Sequence, residues 1–225
     1  MKNCFLLVTL LLFTQSIRSQ NITSFKKDNL PDSIGDHEAR IIRLVNIRPT
    51  DVIVDIGAGK MRWSLNYANR YPNNHFYFED IDSSLCNKTQ MDSTIIKNEF
   101  LNVNPQNIEL VIGTENSTTL PSNTIDVAIL QSTLHLIWNN QLMVDDIKRI
   151  LRPNGRFYII ENFMEKENSV HEECTIPYMS MDEMNQFIVA QKLYIRKEWQ
   201  IIYDQGSGYE YDTNYTYRYI ECVFL

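Results

Sequence analysis

The stretch Val52-Ile53-Val54-Asp55-Ile56-Gly57-Ala58-Gly59-Lys60 decides how the rest of the chain is read. A short β-branched run without polar alternation describes a strand buried on both faces. The glycines behind it let the backbone turn sharply and come close to a ligand, with amide donors at the start of the next helix. About twenty residues further on, Phe78-Glu79-Asp80-Ile81-Asp82 closes a second strand on acidic residues. A carboxylate there can accept hydrogen bonds from both ribose hydroxyls of a nucleoside. A glycine loop alone is a weak signal. Coupled to an acidic strand end in a strand–helix–strand unit, it points to a nucleoside site.

Outward from this unit the chain alternates strands and helices. Asp36 to Asn46 spaces its apolar residues for a helix behind a capping Asp, and Pro49-Thr50-Asp51 breaks it. A helix is predicted over Met61 to Arg70, stopped by Pro72-Asn73-Asn74. His75 to Ile81 is the second strand, Ser83 to Asn98 a helix, and Ile108 to Gly113 and Thr124 to Gln131 the third and fourth strands. Gln141 to Leu151 carries Leu142, Ile147, Ile150 and Leu151 at helical spacing, closed by the turn Pro153-Asn154-Gly155 before a strand at Arg156 to Glu161. Strands separated by helices predict a parallel sheet covered on both sides. After a helix at Met181 to Gln191, Leu193 to Tyr203 and Tyr215 to Phe224 follow as consecutive strands around Gly206 to Gly208, so they should pair antiparallel. The expected fold class is α/β: a doubly wound, seven-stranded, mostly parallel sheet with a C-terminal antiparallel hairpin, over residues 36–225.

Composition agrees with one ordinary domain: 225 residues, 44% hydrophobic and 22% charged, with seven Gly and seven Pro. These values exclude collagen-like, disordered and disulfide-dense chains. A net charge of −7 argues against a nucleic-acid partner bound by phosphate neutralisation. Residues 1–19 read as a secretory signal peptide, with Lys2 in a short positive start, an apolar run from Cys4 to Phe13 and a polar stretch from Thr14 to Ser19. The run is short for a membrane span, so no stable span is expected once it is cleaved, and the protein is expected to be exported, periplasmic or secreted; an uncleaved N-terminal anchor is the alternative. Residues 20–35 form a polar leader. Removal of Cys4 leaves Cys86, Cys174 and Cys222, which is no disulfide framework, although Cys174 with Cys222 is the pair one bridge would use. His171-Glu172-Glu173-Cys174 holds ligand-type residues, but neighbours along one element diverge, and no metal is expected. Asn21, Asn87, Asn116 and Asn214 head Asn-x-Ser/Thr triplets, read as chance matches.

Two cofactor classes compete for the loop. A dinucleotide fingerprint needs a third glycine where Arg62 stands, and Asp55 would repel a pyrophosphate. A cationic nucleoside without phosphate suits the site better. At this point the sequence resembles class I S-adenosylmethionine-dependent methyltransferases. Val54 to Gly59 is similar to their first motif, and Phe78 to Asp82 to their second-strand motif. Gly113-Thr114-Glu115-Asn116 with Leu120 to Val127, and Ile150 to Arg156, resemble two later motifs. The resemblance implies a Rossmann-like methyltransferase fold, S-adenosyl-L-methionine as cofactor and a small-molecule substrate, in the branch that includes quinone C-methyltransferases. It further implies that Gly57, Ala58 and Gly59 line the methionine and ribose portion and that Asp55 faces the ammonium group through water. Asp80 would take the ribose hydroxyls, with Glu79 the alternate in a shifted register. Thr114, Glu115 or Asn116 would meet the adenine, and Gln131 to His135 would face the methyl group and acceptor.

Met61 stands where the family usually has a third glycine, which predicts a less open loop, and Asn154 replaces the first glycine of the late turn. Transfer from a sulfonium mainly requires positioning and exclusion of water. A base is needed where the acceptor must lose a proton, and His135 is the candidate, its alternative being a core or helix-start histidine. Trp138 is a substrate wall or a packing residue, and Asn162 to Pro177 is the natural lid. The competing reading from another class is an exported, catalytically degenerate binding or structural protein on the same fold. Export favours it, because the cofactor is made in the cytosol.

Overall fold

The computed structural model describes residues 41–164, 170, 174–201 and 215–224. The signal and leader segments, the start of the first helix, half of the expected lid with His171 to Glu173 in it, the Gly206–Gly208 loop, Asn21 and Asn214 lie outside the described residues. Within them runs a single seven-stranded sheet of order β3-β2-β1-β4-β5-β7-β6. β1 (Val52–Ile56), β2 (His75–Asp80), β3 (Ile108–Ile112) and β4 (Ile125–Gln131) pair in parallel, as do β4 and β5 (Leu151–Met164). β7 (Tyr215–Phe224) runs antiparallel to both β5 and β6 (Leu193–Ile201). The strand order reverses between β1 and β4, so the chain leaves these two strands in opposite directions. In open sheets of this kind the ligand crevice lies at the carboxyl ends of the two strands where the order reverses.

The sheet separates two cores, as a sheet apolar on both faces must. On one face α1 (helical over residues 41–44), α2 (Arg62–Arg70) and α3 (Lys88–Lys97) cover Ile53, Phe76, Phe78, Val127, Ile129, Tyr158 and Ile160. On the other, α5 (Gln141–Ile150) and α6 (Met181–Ala190) cover Val54, Ile56, Ala128, Leu130, Phe157 and Ile159. α2 buries Ser64, Leu65, Tyr67 and Ala68, the three- and four-residue spacing of a helical stripe. α5 starts at Asn140, whose side chain accepts from Met143 N–H, and carries Lys148 and Arg149 in its last turn, where cations suit the helix dipole. α6 begins with a capping box between Ser180 and Glu183.

Three boundaries differ from the sequence reading. Residues 83–87 form a turn in which Asp82 accepts from Ser84 N–H at 2.8 Å, and α3 starts only after Asn87 caps Gln90 N–H at 2.9 Å. Pro153-Asn154-Gly155 is a bulge within β5: Ile125 pairs with Leu151 and Val127 already with Arg156, so two residues of β4 span five of β5. Asn154 takes the left-handed φ of 66° that a glycine would supply. Finally, Leu134–Ile137 is a one-turn helix, α4, and Asn162–Met164 extend β5 and are no part of a lid. Cys86, Cys174 and Cys222 are free thiols, so the one bridge the sequence allowed, Cys174–Cys222, is not formed; Cys222 lies in the core with Sγ 3.4 Å from Phe157 O.

Candidate functional site

The site grows from the β1–α2 loop. Gly57 (φ 73°) and Gly59 (φ 52°) both occupy the left-handed region. A Cβ on Gly57 would stand 2.5 Å from Thr133 Cγ2, so only glycine lets β1 and β4 hand over their loops this closely. Around Gly59 the opposite holds, for a Cβ there would meet nothing within 4 Å. The loop is tied to the end of β2: Ala58 N–H donates to Glu79 O at 2.8 Å, and Gly59 N–H to Asp80 Oδ2 at 2.7 Å. Asp80 Oδ1 accepts from Asp82 N–H at 2.8 Å. The carboxylate expected to receive ribose hydroxyls thus stands beside the open loop, already oriented by two backbone amides.

Met61 bears on the expectation of a less open loop. It adopts the left-handed φ of 60° itself, and its side chain is fully buried in the core under α2. The missing glycine is met by strain in a non-glycine residue, and the loop stays open.

Two buried carboxylates flank the crevice. Asp55 Oδ2 accepts from Ser64 Oγ–H at 2.6 Å, while Oδ1 has no partner. Burial pushes the Asp55 carboxyl up to about 7; the Ser64 hydrogen bond opposes this and the nearby Asp80 charge adds to it. Glu79 is likewise buried, with Oε1 unpartnered and 1.7 Å from where a Cβ on Gly113 would be. Burial carries its carboxyl up to about 8, against the pull of the Gly57 N–H hydrogen bond. A carboxylate oxygen with neither water nor donor is a costly group. A cation placed against Asp55 would remove that cost, and a phosphate would raise it. The open space above Gly59, the orphan Asp55 Oδ1 and the oriented Asp80 fit the sulfonium, ammonium and ribose of S-adenosylmethionine.

The other expected positions divide. Gln131 is on the Asp55 side of the sheet, buried, its Oε1 accepting from Tyr67 O–H at 2.8 Å. Thr114, Glu115 and Asn116 are exposed on a tight turn after β3, closed by Thr114 N–H to Ser117 O at 2.8 Å. Glu115 O and Asn116 Oδ1 accept from Asn140 Nδ2, so this turn is braced against the start of α5 at the rim. Its side chains are not gathered into the crevice.

His135 is the second residue of α4, buried at 8% exposure, and Nδ1 lies 3.0 Å from Glu161 Oε2. Its backbone N–H donates to the same oxygen at 3.3 Å. Nε2 lies 3.6 Å from Cys174 Sγ. Sequence reading found His135 and missed its partners. Glu161 carries a signal of the Asp80 kind, an acid closing an apolar strand; Cys174 carries none.

Strand order, glycine loop and acidic β2 end define the class: this is the fold of class I S-adenosylmethionine-dependent methyltransferases. Residues 54–159 match the family model described as a methyltransferase domain. The chain is 25% identical over 121 residues to the ubiquinone/menaquinone biosynthesis C-methyltransferase UbiE of Hydrogenovibrio crunogenus, a match covering 53% of this chain and 45% of that protein. It therefore spans less than half of that relative's length. A solved SAM-dependent methyltransferase from Aquifex aeolicus superposes with a TM-score of 0.62 at 15% identity, covering 85% of this chain and 94% of the other. The geranyl diphosphate C-methyltransferase of Streptomyces coelicolor, solved with Mg2+, geranyl diphosphate and S-adenosyl-L-homocysteine, gives 0.63 at 10% identity, covering 85% and 79%. Identities this low speak for the fold. The cofactor of the class is S-adenosyl-L-methionine.

Proposed function

We propose that the chain transfers a methyl group from S-adenosyl-L-methionine to a small-molecule acceptor. The observation that carries this reading is Asp55: a buried carboxylate with one oxygen unpartnered, at the switch point and beside an open glycine loop. When bound, the cofactor supplies an electrophilic methyl on a sulfonium. Asp55 would hold the ammonium, Asp80 the ribose hydroxyls, and the Gly57–Gly59 backbone the edge between them. Gln131, fixed by Tyr67, and α4 behind it would form the floor on which the acceptor rests. His135 would be the base where the acceptor must lose a proton, with Nδ1 on Glu161 and Nε2 on the side of Cys174. Geranyl diphosphate in the Streptomyces neighbour supports a small acceptor here.

Calorimetry with S-adenosyl-L-methionine on the full chain tests the reading. Binding is expected, and Asp80→Asn should weaken it about tenfold or more. No heat at millimolar ligand would refute it.

The apolar run Cys4–Phe13 supports a second reading: an exported binding protein that retains the cradle without turnover. Secretion assays with and without residues 1–19, followed by a methyl-transfer assay on the exported form, decide between the two.

A further inference from the structure

Cys174 sits on an imidazole that is itself held by a buried carboxylate. Glu161 is fully buried and uses both oxygens: Oε2 faces His135 Nδ1 and its N–H, and Oε1 accepts from Asn162 N–H at 3.0 Å. A carboxylate in this state only accepts, so Nδ1 carries its proton toward Glu161 and the Nε2 lone pair is turned to the Cys174 thiol. Among the described residues His135 is the basic side chain that touches Glu161. An imidazolium formed beside it would therefore be stabilised in place.

The other thiols show what an inert cysteine looks like in this fold. Cys86 Sγ lies 3.3 Å from Phe78 O, and Cys222 Sγ lies 3.4 Å from Phe157 O. Both point at carbonyls, which can only receive the thiol proton by hydrogen bond, and burial pushes both thiols up, Cys86 to about 11. Cys174 is partly exposed and faces a base instead. The trio does not suggest a metal site: among the described residues no group of His, Cys, Asp and Glu side chains could hold an ion.

We propose that Cys174, His135 and Glu161 form a thiol–imidazole–carboxylate relay through which Cys174 bonds covalently to a soft electrophilic carbon, the β-carbon of a conjugated carbonyl compound. The Sγ–H proton passes to His135 Nε2 while the sulfur electron pair forms the S–C bond. The carbon–carbon π pair moves to the carbonyl as an enolate, and the enolate carbon then takes the proton back from Nε2. The balance is addition of S–H across the double bond, with no oxidant or reductant. Glu161 touches neither sulfur nor substrate and is a positioning residue. A thiolate is a soft, polarisable nucleophile, which is why a conjugated carbon suits it.

N-ethylmaleimide, a conjugated dicarbonyl, is the probe. The full chain is treated at pH 7, quenched over time and mapped by peptide mass spectrometry. Cys174 should label about tenfold or more faster than the same residue in the urea-unfolded chain, with Cys86 and Cys222 unlabelled over that time. Where the variants remain folded, His135→Asn and Glu161→Gln should each slow Cys174 by about tenfold or more. Labelling no faster in the folded chain than in urea would overturn the proposal, even if either variant failed to fold. Equal labelling of folded natural chain and folded Glu161→Gln would remove Glu161 from the relay. No S-adenosylmethionine is needed, so the outcome is independent of calorimetry on the cradle.

Discussion

Replacing Asp55 with Asn should reverse its effect on stability between mildly acidic and alkaline pH. In the fold the carboxyl is raised from 3.8 to about 7, chiefly by burial. The unfolded chain gives up this proton near pH 4 and the folded chain near pH 7. The folded state therefore binds more protons throughout that interval, and stability falls as pH rises across it. At 1.36 kcal/mol per pH unit, the natural chain loses roughly 3 kcal/mol from this one group between pH 5 and pH 8, most of it below pH 7. Asparagine keeps an oxygen for Ser64 Oγ–H but points an amide group where Oδ1 had no partner, at a cost of about 1–3 kcal/mol at every pH. At pH 5 Asp55→Asn should thus equal or fall below the natural chain. By pH 8.5 its relative stability should have risen by about 2–3 kcal/mol.

Urea unfolding at the two pH values measures the change, and titrations shared by both chains cancel. Binding should move the other way: the variant loses the ammonium partner and about tenfold or more in affinity. Affinity of the natural chain should rise from pH 6 to pH 7.5, with proton release visible as buffer-dependent heat. A stability difference that stays flat from pH 5 to pH 8.5 would mean that Asp55 carries no buried charge, and the cradle reasoning would fail with it.

Two further outcomes follow from the loop. Gly57→Ala puts a Cβ 2.5 Å from Thr133 Cγ2 at a φ of 73°, and should cost about 2–4 kcal/mol by thermal or urea unfolding. Adding Thr133→Ala should recover the steric part and leave about 1 kcal/mol of backbone strain; no recovery would show that Thr133 is not the obstacle. Met61→Gly removes the left-handed strain but also a fully buried side chain, so a net loss of about 1–3 kcal/mol is expected, with cofactor affinity unchanged within about twofold. Affinity that rises sharply in Met61→Gly would mean the methionine does obstruct the loop.

How far the sequence could be read depended on how local each cause was. β1 and the glycine loop came out with the right limits because a β-branched run and two positive-φ glycines are adjacent in the chain. β5 did not, since Pro153-Asn154-Gly155 has the composition of a turn, and only the pairing partner β4 turns it into a bulge. α4 has four residues, too few for any periodicity to show. Met61 was read as an obstruction because residue type reports the usual backbone preference; the burial that compels the exception comes from the core under α2. Asp80 was legible beside its loop, whereas the partners of His135 lie 26 and 39 residues away in sequence, with no motif between them.

The acids themselves were all visible, but their burial was not, and burial is what makes them informative. Asp55, Glu79 and Glu161 are each at most 3% exposed, near the carboxyl ends of β1 and β2 and beside the last pairing of β4 with β5. An apolar residue at any of these positions would fold at lower cost, since a buried carboxylate must be protonated, hydrogen-bonded or met by a cation. Glu161 is hydrogen-bonded, by the His135 ring and backbone N–H and by Asn162 N–H. Asp55 and Glu79 each retain an oxygen with no partner, and both are held toward their protonated forms. They differ in what could relieve them. Glu79 Oε1 is hemmed in by Gly113, whereas Asp55 neighbours the loop whose Gly59 faces open space. Of the two unsatisfied acids, Asp55 is therefore the one beside the open loop, and it is the one to which the proposed cation is assigned.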